Sequence, residues 1–171
     1  MTSSIKTVDP SENEFLASLE ARGKQANLFF RVMANRPEVL KAFVPFYGAV
    51  MGPGSVERRI KELVYLTCSY TNHCAFCTAA HTAAGTKAGI TDREMQSLQA
   101  GTQAPGGDEG FSGPELAAIR YARELTRTAA AATTRDALAT HFNDEQIVEI
   151  TLVAATANWT NRFNNGLGIL P

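Results

Sequence analysis

Two thiols, an imidazole and a carboxylate carry the chemistry that this chain could perform. They are Glu62 and, beginning ten positions later, the stretch Asn72-His73-Cys74-Ala75-Phe76-Cys77-Thr78-Ala79-Ala80-His81. On a helix turning about 100° per residue, Cys77 sits about 60° from Cys74 and His81 returns to within about 20° of it, so all three share a face. His81 is one helical turn beyond Cys77, where side chains on adjacent turns meet, and is expected to accept or share the thiol proton. Cys77 is therefore the expected thiolate. In a first helical turn, unpaired N–H groups and the positive end of the dipole favour that anion further. Asn72, or Thr71 before it, is the expected cap.

Glu62 must be positioned by the preceding segment, 56–68, which reads as a helix capped by Ser55 with Ile60, Leu63, Val64 and Thr67 on its core stripe. Glu62 lies beside that stripe. Only packing of this helix against the next brings the carboxylate to His81, where it would orient the imidazole and carry protons.

Read as one unit, Glu-x11-Cys-x2-Cys-x3-His resembles the signature of the alkylhydroperoxidase branch of the carboxymuconolactone decarboxylase superfamily, the AhpD-like proteins. The similarity extends from about residue 30 to the C-terminus. The resemblance implies that Cys77 attacks a peroxide, Cys74 resolves the sulfenic acid, and Glu62 with His81 forms the proton relay. It implies a hydroperoxide substrate, a lipoyl-bearing or thioredoxin-like dithiol reductant, and a homo-oligomer, a trimer or hexamer more than a dimer. It calls for no metal, flavin or haem. One position departs from the pattern: the well-characterised branch has a histidine just before the second cysteine, where this chain has Phe76, so a shorter relay and a lower rate are expected.

The rest of the chain is consistent with one helical domain. Its 171 residues and 44% hydrophobic content suffice for a single core, and a net charge of -1 points to neither nucleic acid nor an anionic membrane. No apolar run approaches the ~20 residues needed to span a bilayer, and the N-terminus lacks a signal-peptide pattern, so a cytoplasmic location is expected. Three cysteines make no disulfide framework, and a close pair in a reducing compartment is redox-active or metal-binding. Residues 1–10 read as a flexible arm and 11–171 as the domain, with a redox core at about 37–100.

About seven helices are expected and no strand. Ser11 and Glu14 suggest a capping box for a helix to Glu20, and Thr91 with Glu94 suggests another. A helix opened by Pro37 should kink or end early at Pro45. Gly85 and Gly89 should loosen the chain after the cysteine helix. The run from Gly101 to Phe111 reads as a connector or a rim over the site. Ser112-Gly-Pro-Glu115 and Asn143-Asp-Glu-Gln146 open further helices, with a short one between them from Thr133 or Thr134 to Phe142.

Other readings compete at several positions. Cys74 and Cys77 could be buried packing residues, or zinc ligands with His81 if His73 or Glu62 supplied a fourth. Cys68 reads as core, His141 as structural and Phe76 as a shield for the cysteine pair. Trp159, Asn161 and Arg162 end the last helix, where they pack, cap or contribute to the site wall. The alternative functions are a carboxymuconolactone decarboxylase-like lyase or hydrolase, and a disulfide-exchange or redox-sensing protein with little peroxide turnover.

Overall fold

The computed structural model describes residues 2–23, 25–101 and 110–171. A 3-10 turn at Pro10–Glu12 leads into α1 (Glu14–Ala21), α2 (Leu28–Met33), α3 (Pro37–Met51), α4 (Arg58–Thr71), α5 (Ala75–Lys87), α6 (Asp92–Ala100), α7 (Gly113–Thr128), α8 (Arg135–Ala139) and α9 (Asp144–Gly166). The described residues thus hold nine α-helices where about seven were expected, and one isolated β-bridge between Thr2 and Leu170. No described helix is long and apolar enough to cross a membrane.

The centre of the molecule is α4, which is buried on every side from Lys61 to Ser69 and packs against α5, α7 and α9. Val64, Tyr65 and Cys68 join the main core, while Leu63 and Leu66 face a second cluster built with Ile90, Met95, Leu98 and Ile119. Gly85 allows α5 to close on this second cluster. A Cβ there would come within 3.2 Å of both Leu66 and Ile90. Gly85 therefore makes a tight helix contact inside α5, where the sequence suggested a loosened backbone.

Caps expected at Thr91, Ser112 and Asn143 form as full capping boxes. Others differ. Asn13, not Ser11, caps α1 through its side chain. Ser55 caps nothing, because its N–H and hydroxyl both bind the Glu149 carboxylate at 2.9 and 2.7 Å, leaving Glu57 at the start of α4. α3 continues past Pro45 to Met51 and does not end early; Pro45 sits on the exposed face, where water can serve the Lys41 carbonyl that proline leaves unbonded. The segment from Thr2 to Pro10 makes hydrogen bonds to the body: Leu170 N–H donates to Thr2, Ser4 Oγ to Leu167, and Val8 N–H to Arg31. Most of the stretch read as a rim, 102–109, lies outside the described residues.

The carboxyl end of α3 is clamped to α4 by two cations. Lys61 Nζ donates to the Val50 and Gly52 carbonyls at 3.1 and 2.6 Å and pairs with Glu149, while Arg58 donates to the Met51 carbonyl. This clamp matters because α3 carries Tyr47 into the site.

Candidate active site

The α4–α5 turn places the cysteines. His73 adopts a left-handed φ of 52°, and the Cys74 N–H returns to the Ser69 carbonyl at 2.9 Å, closing α4. Asn72 and Thr71 do not cap α5. Cys74 itself is the N-cap, its Sγ accepting from the Cys77 N–H at 3.4 Å. Asn72 instead faces α9, donating to Asn158 and Asn161 at 3.0 and 2.9 Å, while Asn165 Nδ2 donates to its carbonyl. Asparagines of α9 therefore hold the turn that presents the thiols.

Cys77 lies in the first turn of α5, as expected, and is buried with Cys74. Its Sγ accepts from Asn164 Nδ2 at 3.0 Å. The hydrogen bond from the Cys74 thiol, with those from Asn164 and its neighbours, draws the Cys77 thiol down to about 7 against the opposing effect of burial. Donation to Cys77, reinforced by burial, pushes the Cys74 thiol far up. The two thiols thus shift in opposite directions, Cys77 down and Cys74 up.

Glu62 and His81 are brought together. Glu62 Oε2 lies 2.7 Å from His81 Nδ1, and Oε1 lies 2.5 Å from Arg58 Nη2. Tyr65 stacks on the imidazole, with ring centroids 3.5 Å apart. The helical spacing suggested a hydrogen bond between His81 and the Cys77 thiol, but none is present among the described residues. Nε2 meets the Tyr47 hydroxyl at 3.1 Å. Burial, then the Glu62 charge, pushes the Tyr47 phenol far up and keeps it protonated.

A cavity of about 80 Å³ opens where these groups meet, lined by Cys77, Tyr47, His81 and Asn164 among aromatic walls that include Phe29 and Phe76. Cys74 is not on its wall. Two lining residues went unrecognised in the sequence. Tyr47 falls at core spacing with Leu40 and Phe43 on α3, and Asn164 lies in the polar run of α9, where asparagines at 158, 161 and 165, spaced three and four residues apart, are the available signal.

The remaining candidates fall elsewhere. His73 and His141 are exposed, and Glu62 is committed to His81 and Arg58, so neither His73 nor Glu62 joins the cysteines. No group of three or more His, Cys, Asp and Glu side chains converges as metal ligands among the described residues. Cys68 is core. Trp159 stacks on Phe43 and Phe163 outside the cavity, Asn161 binds Ser69 and Asn72, and Arg162 binds Asn158.

Fold and site together define an all-helical protein built to present a cysteine pair beside a carboxylate–histidine couple. Residues 37–112 match the carboxymuconolactone decarboxylase family. The uncharacterized protein YdfG of Bacillus subtilis (strain 168) is 26% identical over 117 residues, 67% of this chain and 77% of its own length. An alkylhydroperoxidase AhpD core, from an uncharacterized peroxidase-related protein of Ralstonia eutropha JMP134, superposes with a TM-score of 0.82 at 20% identity, covering 99% of this chain and 92% of that one. A protein of unknown function from Agrobacterium tumefaciens gives 0.71 at 26% identity, with 81% and 94% covered. The debrominase Bmp8 in complex with 2,3,4-tribromopyrrole gives 0.80 at 15% identity, with 98% and 91% covered. Residues 37–112 are thus similar to the carboxymuconolactone decarboxylase family, and the chain shares the fold of these solved structures.

Proposed function

We propose that the chain is a thiol-dependent peroxidase. The observation that carries this reading is the Cys77 sulfur on the wall of a small cavity, drawn toward the anion by Cys74 and Asn164, with His81, itself paired to the buried Glu62, on the same wall. The Cys77 thiolate attacks the terminal peroxide oxygen, and the S–O bond forms as the O–O bond breaks. The departing alkoxide or hydroxide takes a proton supplied through His81 and Glu62. Cys77 becomes a sulfenic acid. The Cys74 thiol then condenses with it, releasing water and forming a Cys74–Cys77 disulfide. A dithiol protein, lipoyl-bearing or thioredoxin-like, reduces that disulfide and closes the cycle.

The homo-oligomer implied by the resemblance is part of the proposal, and sedimentation equilibrium reads its stoichiometry. Val39, Phe46, Val148, Leu152 and Trp159 are among the large apolar side chains left uncovered on the single chain.

The test is peptide mass mapping of the reduced protein after one equivalent of an organic hydroperoxide, with Cys74→Ser and Cys77→Ser alongside. A Cys74–Cys77 disulfide in the parent and a sulfenic acid at Cys77 in Cys74→Ser are expected. Thiols left reduced in a folded parent would sink the reading.

A second reading draws on the aromatic walls of the cavity and the likeness to a debrominase. The same thiolate would attack the halogen of a small haloaromatic. The carbon would take a proton, and Cys74 would displace halide to give the same disulfide. Halide release from 2,3,4-tribromopyrrole, without peroxide consumption, would select it.

A further inference from the structure

A buried amide oxygen and a phenol, neither of them anticipated from the sequence, lie at the cavity beside Cys77. Asn164 is 1% exposed, and its Nδ2 is engaged with Cys77 Sγ, yet its Oδ1 has no hydrogen-bond partner among the described residues. A buried acceptor without a partner is costly and points to a donor that arrives with a ligand. The Tyr47 hydroxyl stands between the other wall and His81 Nε2, at the end of the chain Arg58–Glu62–His81.

We propose that Asn164 and Tyr47 hold the two oxygens of the hydroperoxide: Asn164 Oδ1 accepts the terminal O–H, and Tyr47 is the catalytic acid that protonates the leaving oxygen. This rests on the peroxidase reading above. One Asn164 amide then joins both reacting partners, donating to the sulfur and accepting from the oxygen it attacks. Tyr47 serves the second oxygen.

Protons and electrons balance without a further reagent. The proton lost when the Cys77 thiol ionises crosses the cavity that Cys77 and His81 both line, is taken up by the Glu62–His81 couple, and is passed through Nε2 to the Tyr47 oxygen. The sulfur attacks the terminal oxygen, which keeps its own hydrogen, and becomes S–OH with the loss of two electrons. The O–O bond accepts them. The leaving RO⁻ takes the Tyr47 proton, and Tyr47 takes that of His81 Nε2. The sum is thiol plus ROOH giving sulfenic acid plus ROH.

This assignment separates Tyr47 from a residue that only packs. An alkoxide leaves poorly without a proton, whereas a carboxylate from a peracid leaves unaided. Oxidation of Cys77 should be followed in the parent and in Tyr47→Phe, with cumene hydroperoxide and with peracetic acid. A fall of about 100-fold with the hydroperoxide is expected, against less than about threefold with the peracid. In Asn164→Ala, the loss with cumene hydroperoxide should exceed the loss in iodoacetamide alkylation by about tenfold.

Equal losses with both oxidants in Tyr47→Phe, or no loss with either, overturn the Tyr47 role. Equal losses of oxidation and alkylation in Asn164→Ala overturn the peroxide cradle. Should Tyr47→Phe fail to fold, the parent decides: rates nearly independent of leaving-group acidity support the internal acid, and a steep dependence overturns it. A parent that leaves Cys77 reduced with both oxidants removes the peroxidase reading itself.

Discussion

Cys68 and Cys77 sit on adjoining helices, both almost fully buried, and their thiols move in opposite directions. Burial drives Cys68 up to about 12, only partly offset by the Thr126 hydroxyl that donates to its sulfur at 3.2 Å. Cys68 lies in the last turn of α4, where the backbone N–H groups are committed to the helix. Cys77 occupies a first turn, with Cys74 and Asn164 donating to it, and comes down to about 7. Depth is shared; donors are not. In this comparison the direction of each shift follows which polar groups reach the sulfur, since burial raises both thiols.

The largest test of that contrast is removal of one sulfur. Cys77→Ser should lower peroxide consumption by at least ~1,000-fold, measured by loss of hydroperoxide under excess reductant. A mild loss would give the chemistry to another group.

The next effect is in pH. Iodoacetamide alkylation of Cys77 should titrate with a midpoint near 7 and fall roughly 50-fold from pH 7 to pH 5, while Cys68 stays unmodified in the folded protein. Peptide mapping distinguishes the two thiols.

Stability should follow the same shift. Because the folded Cys77 thiol ionises lower than an ordinary thiol, the unfolded chain binds more protons between about pH 7 and 8.5. The contribution is fully present above that window and lost as pH falls through 7. It amounts to about 2 kcal/mol. Urea melts of the parent and Cys77→Ala should show the difference as a slope present only in the parent.

The smallest effect belongs to Cys68→Ala. Peroxide turnover should stay within about twofold, at a cost of ~1–2 kcal/mol in the same melts. A large loss of turnover with stability intact would mean that Cys68 has a role beyond packing.

The pairing of Glu62 with His81 and the shared setting of Cys74 and Cys77 were legible because they depend on spacing within two consecutive helices. Tyr47 and Asn164 were not, because α3 and α9 reach the site only through tertiary packing. Tyr47 has a period that reads equally well as core, and its hydroxyl finds His81 only because Arg58 and Lys61 fasten α3 to α4. The polar run in α9 was visible, but nothing local indicated that Asn164 faces a sulfur while Trp159 stacks away from the site. Caps failed where a distant carboxylate competed, as Glu149 does for Ser55.

The asparagines of α9 have a consequence for how the chain can vary in length. Asn158, Asn161, Asn164 and Asn165 meet their partners from one rigid rod, so inserting a single residue after Ala154 would rotate everything beyond it by about 100° and shift it by about 1.5 Å. All four amides would leave their partners together, and Cys77 would lose its donor along with the turn that presents it. Evolution can exchange the residues on the outer face of this helix one at a time, but its residue count between Ala154 and Asn165 is fixed as a whole.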